Sequence, residues 1–309
     1  MDMPKRKKEE SPHRLADLTG GKYLDGTPLD DVQYLECKLI LKPDRFTSRK
    51  SFWDYAKVVK KAAKKTGVDY ASEDFEDDRP QIREVLFLDT GDFRLYNSAF
   101  ILRRRIPYRD GFPIGDPEIV FKFRHPDLRK AAEVDVRPNI AGDYRVKFKV
   151  EALPLKGAVG SYRVLFSHNI EFPLSHVHEG DRMSMRTLSR VLPPLAALKK
   201  SDKEKVELVS RTIVEEVLQD VAVLDFGQGA RAKANVALWR ARGDHRPLVG
   251  EFAFQAKFEN RDGLGAKARK RIEQFFVTLQ ESASEWLLLG ATKTGVVYRL
   301  NGNPPQAHE

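Results

Sequence analysis

Two arginines on one face of an otherwise apolar strand are the residues of this chain best suited to chemistry. The stretch LFLDTGDFRLYNSAFILRRR, residues 86–105, runs through Ala, Phe, Ile and Leu into three consecutive guanidinium groups. Side chains alternate across a strand, so Arg103 and Arg105 share a face. A guanidinium is permanently charged, and its planar fork of donors matches carboxylate or phosphate oxygens.

The same alternation recurs. YLECKLI sets Glu36 and Lys38 opposite Leu35, Cys37 and Leu39, and IVFKFR sets Lys122 and Arg124 opposite Phe121 and Phe123. AEVDVRP, read as a strand, sets Glu133, Asp135 and Arg137 against Val134 and Val136. YRVKFKVE sets Arg145, Lys147, Lys149 and Glu151 against Tyr144, Val146, Phe148 and Val150. ARAKANVAL places Arg231, Lys233 and Asn235 together, and EFAFQAKF does so with Glu251, Gln255 and Lys257. One such strand is an ordinary solvated sheet face. Over seven strands, twelve cations accompany five carboxylates. If the sheet closes into a barrel with its apolar residues outward under helices, these ions point into the lumen. An enclosed positive surplus requires a counter-charge. A polyanion would supply it, and carboxylates are hard ligands for divalent ions.

The elements that must position these residues are mostly strands. AFILRRRIPYRDGFPIGDPEIVFKFR is predicted as a hairpin with turn formers at Asp110-Gly111 and Gly115-Asp116. SRKSFWDYAKVVKKAAKK is predicted as an amphipathic helix capped by Ser48, with Phe52, Tyr55, Val59 and Ala62 on its apolar stripe. GAKARKRIEQFFVTLQESASEW gives a second helix, with Ile272, Phe275, Phe276 and Leu279 aligned, and TLSRVLPPLAALKK a short one interrupted by proline. Residues 1–30 are charged or rich in turn formers and are predicted to form a disordered basic tail. Residues 31–309 contain no long linker and are expected to form a single domain.

Composition narrows the function classes. With 309 residues, 41% of them hydrophobic, the chain can bury a large core. A net charge of +9 favours anionic partners. The single cysteine, Cys37, excludes an internal disulfide and fits a reducing cytoplasm. No apolar run of about 18 residues and no signal-peptide core is present, so a cytoplasmic protein outside the membrane is expected. A nucleic-acid binder would interleave cations with exposed stacking aromatics, whereas here aromatics lie on the opposite face, which ranks that class behind a small polyanion. His168, His176 and His178 lack zinc partners at a suitable spacing and are read as loop histidines. GLGAK lacks the Walker spacing, and there is no G-x-S-x-G.

The E-x-K strand, the Asp89-Thr90 turn followed by L-R-x-R, and F-K-F-R together resemble the CYTH family, the triphosphate tunnel metalloenzymes. The resemblance runs from about Gln33 to Tyr298. It implies an α+β fold, an eight-stranded antiparallel β-barrel with flanking helices. It further implies a triphosphatase acting on inorganic triphosphate or a nucleoside or thiamine triphosphate, with Mg²⁺ or Mn²⁺ as cofactor. The alternative is a tunnel that binds polyphosphate or a nucleotide without turnover. The family's first-strand signature is E-x-E-x-K, and Tyr34 stands in place of its first carboxylate. By this resemblance Glu36 and Lys38 are the catalytic pair. The resemblance implies substrate binding by Lys38, Arg103, Arg105 and Lys122, to which strand parity adds Arg124, Arg145, Lys147, Lys149, Arg231 and Lys233, and Glu36, Glu133, Asp135 and Glu251 are expected to hold metal.

Overall fold

The computed structural model describes residues 18, 20–75, 79–178, 180–259 and 263–302. Nine strands form the ring: β1 (Tyr34–Leu41), β2 (Gln81–Asp89), β3 (Phe100–Arg109), β4 (Glu118–His125) and β5 (Arg145–Leu155), then β6 (Ala158–Pro173), β7 (Val214–Asp225), β8 (Arg231–Ala241) and β9 (Pro247–Lys257). Their order around the barrel is β1-β5-β6-β4-β3-β2-β7-β8-β9, and β9 pairs with β1 to close it. Eight antiparallel strands were expected. The ring instead has nine, and an odd ring cannot alternate in direction all the way round. One neighbouring pair must therefore run parallel, and it is β1 with β5, in a seam registering Tyr34 with Lys149 and Glu36 with Glu151. The expected hairpin of β3 and β4 forms, with Arg105 opposite Glu118.

Apolar residues face outward and are covered. Helices α1 (Lys50–Thr66) and α2 (Ala266–Ser282) bury Phe52, Tyr55, Val59, Phe275, Phe276 and Leu279 against Leu39, Phe252 and Phe254. The Ser48 cap does not form. The residue before α1 is Arg49, and Ser51 Oγ accepts from the Thr47 and Ser48 amides instead. On another side the helix Met185–Val191 and the turn Pro193–Leu198, split by the expected proline, cover Phe100, Phe121, Ile170 and Phe172.

AEVDVRP is not a strand. Residues Leu128–Glu133 form a helix whose N-terminal amide on Lys130 is capped by Asp127, and its Leu128, Ala131 and Ala132 pack on Phe148 and Phe166. Of the tail expected over residues 1–30, residues 1–17 and 19 lie outside the described residues. Residues 20–30 are tied down: Tyr23 is buried and donates to Asp30, whose carboxylate also meets His168 Nε2 at 3.0 Å. Arg137, expected in the lumen, lies here instead, over the Tyr23 ring and paired with Asp25 and Asp135.

One end of the barrel interior is apolar. Ile40, Val85, Phe87, Ile101, Val249 and Trp239 converge there on Val297 and Tyr298 of the helix Lys293–Tyr298, which closes that end. Among the described residues no helix is long and apolar enough to cross a membrane.

Candidate anion-binding lumen

Above that apolar floor the interior turns ionic at the next inward-facing position of β1, β2 and β3. Lumen positions on β1 pass from Ile40 to Lys38 and Glu36, on β2 from Val85 to Arg83, and on β3 from Ile101 to Arg103 and Arg105, while on antiparallel β4 Lys122 stands opposite Ile101 and Val120 opposite Arg103. The result is a cavity of about 180 Å³ lined by eight cations (Lys38, Arg83, Arg103, Arg105, Lys122, Arg124, Lys149 and Lys293) and four carboxylates (Glu36, Glu171, Glu216 and Glu251). Glu151, fully buried behind the wall, is a fifth carboxylate. Three positive charges remain in surplus, fewer than the seven expected from the sequence, because the cations fall from twelve to eight while the carboxylates still number five.

Glu151 ties the wall together. Its Oε1 lies 3.0 Å from Lys38 and 3.1 Å from Lys122, and its Oε2 is 3.2 Å from Arg124. Burial would raise its pKa, but Arg124, Lys122 and Lys38 hold the carboxyl well below its usual range. Burial pulls the Lys122 ammonium well down despite Glu151. Glu36 sits 3.0 Å from Lys38 and 3.3 Å from Lys149, whose ammonium also donates to Gln255 at 2.6 Å. Against the cost of burial, Lys149 and then Lys38 lower Glu36 to about 2. Near the mouth, Glu171 meets Arg105 at 3.2 Å, Arg145 at 2.9 Å and Lys147 at 2.7 Å. Arg105 leads these cations in overcoming burial and holding Glu171 at about 2. Glu216 accepts from Trp239 Nε1 at 2.8 Å and pairs with Arg83 at 2.7 Å.

Arg103 differs from every other lumen guanidinium. Arg83, Arg105 and Arg124 each have a carboxylate, while Arg103 forms no salt bridge among the described residues; its buried Nε, like that of Arg83, has no hydrogen-bond partner. Its guanidinium carbon lies 5.7 Å from the centre of the Phe87 ring. Burial and the neighbouring Arg105 depress its pKa to about 10, so it remains charged at neutral pH.

Not every residue expected in the site reaches it. Glu133 lies on the surface helix, exposed, 3.8 Å from Arg129, and Asp135 follows it and pairs with Arg137. Arg231 and Lys233 have the right strand parity but stand beyond the lumen on the β7–β8 hairpin, beside Asp225 and Asp220. Lys257 is likewise outside, exposed over the Tyr34 ring. Arg145 and Lys147 guard the mouth through Glu171. Sequence reasoning missed Arg83, Glu171, Glu216 and Lys293. Glu171 had a signal, since Ser167, Asn169 and Glu171 alternate with buried His168, Ile170 and Phe172 on β6. Lys293 had none, because it enters from a helix.

The donor set does not fit a divalent ion. Each lumen carboxylate already faces an ammonium or guanidinium group, and two of the four expected ligands, Glu133 and Asp135, lie outside. Among the described residues no three His, Cys, Asp or Glu side chains gather as a metal-holding group. A larger, open cleft of about 740 Å³, lined by Arg186, Arg190, His176 and Lys205, lies away from the barrel interior, and its Asp181 is engaged by Lys205.

The fold and site thus define a closed mixed β-barrel with an ion-lined lumen. No protein-family model and no curated protein matches the chain. Among solved structures, it is similar to a proposed adenylyl cyclase from Hippeastrum whose dominant activity is that of a triphosphatase, at 14% identity and a TM-score of 0.43, covering 89% of this chain and 98% of that one. It is also similar to a proposed adenylate cyclase from Bacillus halodurans, at 9% identity and a TM-score of 0.37 over 85% and 95% of the two chains. One from Vibrio parahaemolyticus gives 9% and 0.33 over 86% and 98%.

Proposed function

We propose that this protein binds the triphosphate chain of a small molecule inside the barrel and acts on it as a phosphoric anhydride hydrolase. The observation that carries the reading is Arg103, a lumen guanidinium with no salt-bridge partner among the described residues, set beside Arg105 in a wall with a positive surplus. A phosphate oxygen accepting two of its N–H groups would supply the missing partner, and Arg is suited to that bidentate geometry. The size of the cavity agrees. About 180 Å³ is below the ~300–1,000 Å³ of pockets that enclose a drug-sized ligand, so it suits a phosphate chain, with any nucleoside or thiamine portion at the open mouth near Arg145 and Lys147. Within it Arg103, Lys122 and Lys38 would spread the charge that develops on the transferred phosphoryl oxygens.

A second reading, binding without turnover, is favoured by one observation. Glu36, the carboxylate expected to act with Lys38, is held between two ammonium groups and kept ionised by them, which leaves it weakly basic toward water. Phosphate release from tripolyphosphate, ATP and thiamine triphosphate, measured alongside calorimetric binding of each, separates the two. Binding with release supports the hydrolase, and binding alone supports the second reading. Absence of binding rejects both.

A further inference from the structure

Lys293 stands out because it reaches the lumen from the closing helix rather than from a strand. Its ammonium lies 2.7 Å from Glu251 Oε1 and 3.2 Å from Glu216 Oε1, 4.6 Å from the centre of the Trp239 ring. Glu216 has little capacity left, since Oε1 also accepts from Trp239 Nε1 and Oε2 faces Arg83. Both carboxylates are buried. Two buried carboxylates converging on one point form a natural anchor for a hard divalent cation. In this chain a side chain fills that point with a single positive charge.

We propose that Lys293 is a specificity-determining residue: a tethered cation that takes the place of a divalent ion between Glu216 and Glu251, so that the lumen recognises a polyanion as the free anion and not as its metal complex. The polyanion part rests on the function proposed above, whereas the Lys293 part does not. Thr292 caps the closing helix through the Gly295 amide at 2.9 Å, and Val297 and Tyr298 anchor it in the apolar floor, so the ammonium is held in place by packing.

The test uses the full chain and Mn²⁺ alone, followed by paramagnetic resonance and calorimetry without any anion. Wild type is expected to show no stoichiometric site, whereas Lys293→Met gains one and its thermal midpoint rises on adding Mn²⁺. Lys293→Arg, which keeps the charge, should stay blind to Mn²⁺. Wild type binding Mn²⁺ as tightly as Lys293→Met would overturn the proposal, as would a folded Lys293→Met with no Mn²⁺ site. If Lys293→Met does not fold even with Mn²⁺, wild type decides through tripolyphosphate titrations. Affinity in EDTA should match or exceed that in excess Mg²⁺, which sequesters the free anion, and a rise of about tenfold or more with Mg²⁺, a difference of about 1.4 kcal/mol, overturns it. Tripolyphosphate failing to bind under either condition would reject the proposed function while leaving the Mn²⁺ result on Lys293 standing.

Discussion

Replacing Arg103 by methionine separates an anion receptor from a structural arginine. Its charge has no ion-pair partner among the described residues, and burial pulls its pKa below the usual guanidinium range to about 10. Keeping that charge at neutral pH therefore costs the fold on the order of 3 kcal/mol, at 1.36 kcal/mol per pKa unit. Arg103→Met removes this cost and leaves an apolar side chain against Phe87, so the thermal midpoint should stay or rise. A bound triphosphate would lose charge-assisted hydrogen bonds worth about 1.5–3 kcal/mol each, which weakens Kd by roughly a hundredfold. Arg105→Met is the control: it strips buried Glu171 and neighbouring Glu118 of a partner, so it should lower the midpoint as well as the affinity. Calorimetric titration with tripolyphosphate at fixed salt, together with thermal melts of both variants, reads out both quantities. Unchanged affinity in Arg103→Met, or a loss of stability matching that of Arg105→Met, refutes the assignment of Arg103 as the receptor.

Three other outcomes follow from the same charges. Glu151→Gln leaves Lys38, Lys122 and Arg124 without their shared counter-charge and should cost about 3–5 kcal/mol in urea denaturation; a loss under about 1 kcal/mol would show that the three cations find other partners. Glu133→Gln with Asp135→Asn should leave triphosphate affinity and any phosphate release unchanged, since both carboxylates lie outside the lumen; a loss of either would place them in the site after all. Folding lowers Glu36 and Glu171 from the usual 4.5 to about 2. Their contribution to stability is thus complete above pH 4.5 and lost as pH falls toward 2, so Glu171→Gln should flatten the acid limb of a stability-versus-pH curve, and an unaltered limb counts against these pairings.

Period-two alternation made the inward face of most strands legible. Lys38, Arg103, Arg105, Lys122, Arg124 and Lys149 stand on the lumen side because parity fixes a face. Parity does not fix height along the barrel, which is why Arg231 and Lys233 share a face with Asn235 yet end beyond the cavity. AEVDVRP failed for another reason. Its alternation is as regular as that of a strand, but Ala132 and Glu133 finish a short helix capped by Asp127, and residues 134–138 run on outside any strand. The strand count was hidden because pairing between distant segments leaves no local signature. Lys293 was hidden because its height and direction depend on how the last helix docks.

The parallel seam between β1 and β5 also constrains the order of assembly. Tyr34 is hydrogen-bonded neighbour to residues near Lys149 on one side and Lys257 on the other. β1 therefore has no local partner in the ring when it is made, and one of its two edges stays bare until β9 has been made. Contacts this remote in sequence slow folding, and an unpaired strand edge invites pairing with another chain. Glu36 and Lys38 lie on that strand, so until β9 arrives they face water rather than the charges that will later hold them. The ionic wall is thus completed by the closing of the ring, and a chain that stops short of β9 would expose an edge and a row of unmatched charges together.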